Sequence, residues 1–182
     1  MIKKVLLITV LLFLTACSSL KVQSDYDPKF NFSSLKSYEI IYREDKNNSL
    51  VNNRIEHAIF QELAQKGFHK VKSKQDSKNT DFYIIFHTQV SSKTDIFTDY
   101  SYMHVSPYTV SAHYIPTTRV YNYDEGKLVV DFVDVKTNEL IWQGIATDRL
   151  NSLDTPKEKT EYINKVLKEL LKTFDERVIQ KK

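Results

Sequence analysis

The chain contains a single cysteine, Cys17, and it stands at the end of the one long apolar run near the amino terminus. Everything that follows must therefore fold without an internal disulfide, a CxxC redox pair or a thiolate zinc site. Stability has to come from a hydrophobic core, and 182 residues with 41% hydrophobic and 27% charged content are enough for one ordinary globular domain. Glycine narrows the choices further. The three glycines, Gly67, Gly126 and Gly144, lie far apart. A GxGxxG dinucleotide turn and a GxxxxGK[ST] phosphate loop both need clustered glycines for close backbone approach to phosphate, so both are excluded.

Residues 1–16 read as a secretory signal, with Lys3 and Lys4 before the apolar stretch from Val5 to Leu14. That stretch is shorter than the roughly 20 apolar residues needed to span a bilayer. Leu14-Thr15-Ala16-Cys17 resembles the bacterial lipobox, in which the chain is cut between the residues corresponding to Ala16 and Cys17 and the cysteine is acylated. The resemblance implies a membrane anchor of two or three acyl chains on Cys17, where two already suffice for stable attachment. Ser18 and Ser19 follow the cysteine instead of the aspartate that retains Gram-negative lipoproteins in the inner membrane, so the expected location is the periplasmic face of the outer membrane. Residues 17–24 are expected to form a short lipidated tether, and residues 25–182 a single domain. Lys3 and Lys4 also supply two of the three formal positive charges, leaving the remainder close to neutral. No charge argument for nucleic acid survives.

Two amphipathic helices are predicted. Val51, Ile55, Ala58, Ile59 and Leu63 form one stripe of a 3.6-residue period that ends at Gly67. Ile163, Val166, Leu167, Leu170, Leu171 and Phe174 form another, opened by the capping box Thr155-Pro156-Lys157-Glu158. Strands are predicted at residues 37–42, 69–72, 82–86, 117–123, 127–135 and 139–147. Lys136-Thr137-Asn138 is read as a hairpin turn, and Asp124-Glu125-Gly126 as a second turn. Hairpin-linked strands with two one-sided helices predict an α+β fold: a two-layer, largely antiparallel mixed sheet with both helices packed on one face.

These pieces together resemble a bacterial lipoprotein family known as the domain of unknown function numbered 4136. The matching residues include Asp25-Tyr26-Asp27-Pro28, Lys36-Ser37-Tyr38, Lys66-Gly67-Phe68, the stretch from Gly126 to Ala146, and the closing helix from Ile163 to Phe174. Ile40 departs from the aromatic expected at its position. The resemblance implies a compact mixed fold on a periplasmic lipoprotein, with no assigned activity.

Chemistry is sparse. His57, His69, His87, His104 and His113 make no HxH, HExxH or i, i+4 pair, so no metal site is expected. His87 is read as a half-buried structural histidine, and His104 and His113 as exposed loop residues. Asp25 and Asp27 alternate but lack further oxygen ligands, and Asp27-Pro28 is better read as a turn. Asp131 and Asp134 are expected to hydrogen-bond near the hairpin turn. No GxSxG elbow is present. The expectation is a non-enzymatic binding or envelope-maintenance module, without cofactor beyond the lipid on Cys17. A periplasmic hydrolase or metal-dependent enzyme using His87 with Asp131 or Asp134 is the alternative, and a carrier of hydrophobic molecules a third reading.

The segment at about 95–116 is unusual, being rich in tyrosine and poor in Lys and Arg. It is read as a long polar-aromatic insertion whose Tyr100, Tyr102, Tyr108 and Tyr114 form a candidate binding surface for an envelope protein or cell-wall glycan.

Overall fold

The computed structural model describes residues 19–41, 49–71, 79–104 and 112–178, with 49, 101–104, 112–115 and 175–178 as backbone only. Six strands form one mixed sheet: β1 (Lys21–Tyr26), β2 (Ser37–Ile40), β3 (His69–Lys70), β4 (Phe82–His104), β5 (Ala112–Asp134) and β6 (Leu140–Arg149), in spatial order β1-β6-β5-β4-β2-β3. The helices are α1 (Ser49–Gln65) and α2 (Pro156–Val178). β2 runs parallel to both β3 and β4, and the remaining pairings are antiparallel. The parallel pairs follow from connectivity: α1 carries the chain between β2 and β3, the crossover that parallel neighbours require. The fold is α+β, with both helices on one face of the sheet.

Alternation along the strands builds the core. Phe82, Ile84 and Phe86 of β4, Leu128, Val130 and Phe132 of β5, and Trp142 and Ala146 of β6 are buried against the helices. They meet the predicted stripes: Ile55, Ala58, Ile59 and Leu63 from α1, and Val166, Leu167, Leu170, Leu171 and Phe174 from α2. Aromatic rings dominate the centre. Phe132 stands 4.7 Å from Trp142, 5.0 Å from Phe82 and 5.1 Å from Phe174, ring centroid to centroid.

Local signals account for the boundaries. Glu158 accepts the Thr155 amide at 2.9 Å and its own amide donates to Thr155 Oγ1 at 3.2 Å, the reciprocal capping box that starts α2. After α1, Gly67 adopts φ +85°, the left-handed position glycine occupies without strain. The β5–β6 turn is held by Asp134, whose carboxylate accepts the amides of Lys136 (3.1 Å) and Thr137 (2.8 Å), while Asn138 takes φ 57°. A register shift after Phe132 lets both Ile141 and Trp142 be buried at the start of β6.

Three expectations are corrected. The expected tether over residues 17–24 is shorter, because the chain enters the sheet at Lys21 and pairs with Thr147. Asp124-Glu125-Gly126 is no turn: β5 runs straight through it. Gly126 instead leaves room for Leu150, since an added Cβ would lie 2.7 Å from the Leu150 side chain, which would have to shift. Finally, the segment at about 95–116 is not a loop insertion. β4 and β5 are each 23 residues long and pair continuously from Phe82↔Asp134 to His104↔Ala112. Alternating Tyr, Thr, Val and Ile favour an extended chain even where no second layer covers it. Residues 92–104, beyond the last β5–β6 pair Glu125↔Arg149, thus form half of a two-stranded arm that extends about 40 Å at roughly 3.3 Å per residue.

Candidate functional site

The arm has two dissimilar faces, because side chains alternate along each strand and opposed residues share a side. One side carries Val90 at its base, Ile96 opposite Val120, and Tyr100 opposite Pro116. Val90, Ile96, Val120 and Tyr100 are 62%, 67%, 59% and 69% exposed. Polar rungs lie between them, with Ser92 donating to Asp124 at 2.7 Å and Thr94 to Asn122 at 2.8 Å. The other side is charged and aromatic. Phe97 packs edge-on to Tyr121 at 5.8 Å, Arg149 lies 3.8 Å above the Tyr123 ring and pairs with Asp95, and Arg119 faces Asp99 at 3.7 Å.

Of the candidate tyrosines, Tyr100 lies on the apolar side, and Tyr102 and Tyr114 are opposed in the backbone register. Tyr108 lies outside the described residues, as do Ala16 and Cys17. Tyr100, Tyr102 and Tyr114, expected on a loop surface, are therefore arranged by strand geometry along a ribbon.

At the base of the arm, on the helix side, is a hollow of about 410 Å³. Its apolar walls include Leu20, Leu128, Leu150, Leu153, Ile163 and Val166. Arg54, Lys127, Lys159 and Asp148 are also part of its lining. The Tyr162 hydroxyl donates to Asp148 at 3.1 Å, and Ser19 donates to the same carboxylate. Burial, and then the Asp148 charge and this hydrogen bond, push the Tyr162 phenol well above its ordinary range. Sequence reading missed this site. Leu20 counted as tether and Gly126 as a turn, and the apolar pair in Leu150-Asn151-Ser152-Leu153 was the one available signal.

The residues considered for catalysis are divided between the two faces of the sheet. His87 is exposed, in place of the half-buried position expected, and opposes Val129 in the sheet face turned away from the helices. Asp134 is buried on the helix side under its hairpin turn. Asp131 shares the face of His87, where Gln143 Nε2 donates to it at 2.8 Å. His57 meets Gln61 on the surface of α1 at 3.1 Å, and His69 is exposed in β3. The side chains of His104 and His113 are outside those described, although both backbones are strand and not loop. Asp27 starts a turn, its carboxylate accepting the Lys29 amide at 2.8 Å, and Asp25 is exposed. Among the described residues, no three His, Cys, Asp or Glu side chains are grouped to hold a metal ion, and no helix is long and apolar enough to cross a membrane.

No curated protein matches the chain. Among solved structures, a PDZ domain protein from Parabacteroides distasonis is similar over 86% of this chain with a TM-score of 0.50 and 15% identity. The match covers 35% of that protein, so this chain spans about a third of its length. The PelC dodecamer from Paraburkholderia phytofirmans matches at a TM-score of 0.46 and 13% identity, over 83% of this chain and 96% of that one. A neuraminyllactose-binding hemagglutinin homolog from Helicobacter pylori matches at 0.39 and 15% identity, over 80% and 86%. These likenesses concern the fold. A model of the family described as Domain of unknown function (DUF4136) matches residues 22–174, nearly the whole of the described sheet and both helices, and the chain belongs to that family.

Proposed function

We propose that this protein is a non-enzymatic binding module, lipid-anchored through Cys17 at the periplasmic face of the outer membrane, whose β4–β5 arm engages another envelope protein. The observation that carries the reading is the arm's apolar side. Ile96, Tyr100 and Val120 stand more than half exposed on a two-stranded ribbon, with the equally exposed Val90 at its base. Isolated ribbons of this kind are marginal in water. A row of large apolar side chains on one is the pattern that a protein partner covers, with aromatic groups supplying anchor contacts. Of the two carboxylates considered with His87, Asp134 lies on the opposite face and Asp131, on the same face, is engaged by Gln143. The sequence around Cys17 supports the anchor.

Photo-crosslinking in intact cells from Ile96 and Tyr100 tests the reading. A discrete protein adduct, lost when Ile96 and Val120 are both changed to Ser, is the expected result. Adducts only with abundant bystanders, or adducts to glycan, would overturn the protein-partner assignment. Sensitivity of processing to globomycin, together with loss of membrane association in Cys17→Ser, tests the anchor separately.

A further inference from the structure

The hollow at the base of the arm is built like a ligand site, and Val90 belongs both to its lining and to the apolar side of the arm. Its volume of about 410 Å³ falls within the range of roughly 300 to 1,000 Å³ typical of small-molecule pockets, and its walls are predominantly aliphatic. The polar groups in the lining are unbalanced in sign. Asp148 is the one carboxylate there, and the hydroxyls of Ser19 and Tyr162 already engage it. Arg54 and Lys159 contribute two positive charges, whereas Lys127 alternates with the inward Leu128 and belongs to the opposite face of the sheet. An apolar cavity with a cationic lining fits a molecule with a hydrocarbon tail and an anionic head.

The chain path says where such a molecule would come from. Leu20 lines the hollow, and Cys17 precedes it by three residues, a reach of about 10 Å at roughly 3.3 Å per residue. If Cys17 holds the acyl anchor proposed above, on which this placement rests, the hollow opens close to a lipid surface. We infer that it binds one long-chain anionic amphiphile, with the tail among Leu20, Leu128, Leu153, Ile163 and Val166 and the head against Arg54 and Lys159.

Native mass spectrometry of the full acylated chain, released from non-ionic detergent, tests this with deuterated palmitate and deuterated hexadecanol as probes. One palmitate per chain is expected, with hexadecanol held about tenfold more weakly, as a lost charge-assisted contact implies. Thr88 is an exposed residue of the lining, so Thr88→Trp can plug the cavity without entering the core, and circular dichroism confirms that the variant is folded. It should abolish the adduct, and Arg54→Gln with Lys159→Gln should remove the preference for palmitate over hexadecanol.

The same spectrum weighs the lipid on Cys17. An acylated chain that takes no palmitate when Cys17→Ser takes none either, or one that takes it equally with Thr88→Trp, overturns the site and leaves the anchor standing. A chain with unmodified Cys17 that still takes one palmitate removes the anchor and supports the site. If Cys17→Ser binds palmitate where the acylated chain does not, the chain's own acyl group fills the cavity, and the inference of a separate amphiphile falls.

Discussion

Ser37 and Asp81 hold the crossover together: the carboxylate of Asp81, just before β4, accepts the Ser37 amide and the Ser37 hydroxyl, each at 2.9 Å. The Lys36 amide donates to the same oxygen at 2.8 Å, so one carboxylate satisfies the start of β2 where it meets its parallel neighbour.

This contact predicts an acid-sensitive contribution to stability. Burial raises the Asp81 pKa, but the hydrogen bonds from Lys36 and Ser37 and the nearby Lys136 outweigh it and hold the carboxyl below its ordinary value. A folded pKa below the unfolded one means stabilisation present above about pH 4, lost as pH falls through the folded value. Asp81→Ala should cost about 1 to 3 kcal/mol at pH 7 in urea unfolding. The gap from wild type should narrow by pH 3, and an unchanged gap would contradict this account.

Gly144 predicts an overpacking effect. A Cβ there would stand 2.9 Å from both Trp142 Cζ2 and Leu170 Cδ1, at the contact between β6 and α2. Gly144→Ala should destabilise by about 1 to 3 kcal/mol. Because Trp142 is the one tryptophan of the chain, its fluorescence should report the displacement directly.

Two core-facing tyrosines, Tyr38 buried and Tyr162 half-buried, should respond oppositely to loss of the hydroxyl. Tyr38 is fully buried, its hydroxyl has no hydrogen-bond partner among the described residues, and burial followed by the Glu56 charge pushes its phenol up to about 12. Tyr38→Phe should be neutral or stabilising by up to about 1 kcal/mol, since it removes an unsatisfied buried group. Tyr162→Phe loses the bond to Asp148 and should cost about 1 kcal/mol. Chemical denaturation of both variants checks the contrast.

The arm should be separable from the body. Lys93 opposes Tyr123, so residues 94–122 can be replaced by Asn-Gly, the two-residue hairpin loop suited to opposed strand ends. The core rungs from Phe82↔Asp134 to Phe86↔Val130 are untouched. Thermal unfolding should shift by no more than a few degrees, while crosslinking to the partner disappears. Collapse of the body would show that the arm supports the fold.

Both helices and the β5–β6 hairpin were legible in the sequence because their signals are local. The stripe from Ile163 to Phe174 repeats at 3.6 residues, Thr155 and Glu158 satisfy each other within one turn, and Gly67 ends α1 through its own backbone freedom. The same local reasoning misplaced Gly126 as a turn. What packs over it is Leu150, distant along the chain and brought there by the return of β6. The tyrosine-rich stretch looked like a loop because it is polar and has no second layer to impose strict alternation. Its strand character is decided by pairing across the arm, from Ser92↔Asp124 outward to His104↔Ala112.

The candidate sites divide along the same line. Cys17 is marked by contiguous residues, so the sequence by itself determined the expected anchor, the absence of thiol chemistry in the domain and the α+β class. Only the tertiary structure decided that Leu20, Arg54, Leu153 and Lys159 surround one hollow, that His87 and Asp134 fall on opposite faces of the sheet, and that Tyr100, Tyr102 and Tyr114 stand along a projecting ribbon. Periodicity and capping act over a few residues and can be read in order along the chain. A cavity is the space left between segments distant in sequence, and its walls are chosen by how those segments pack.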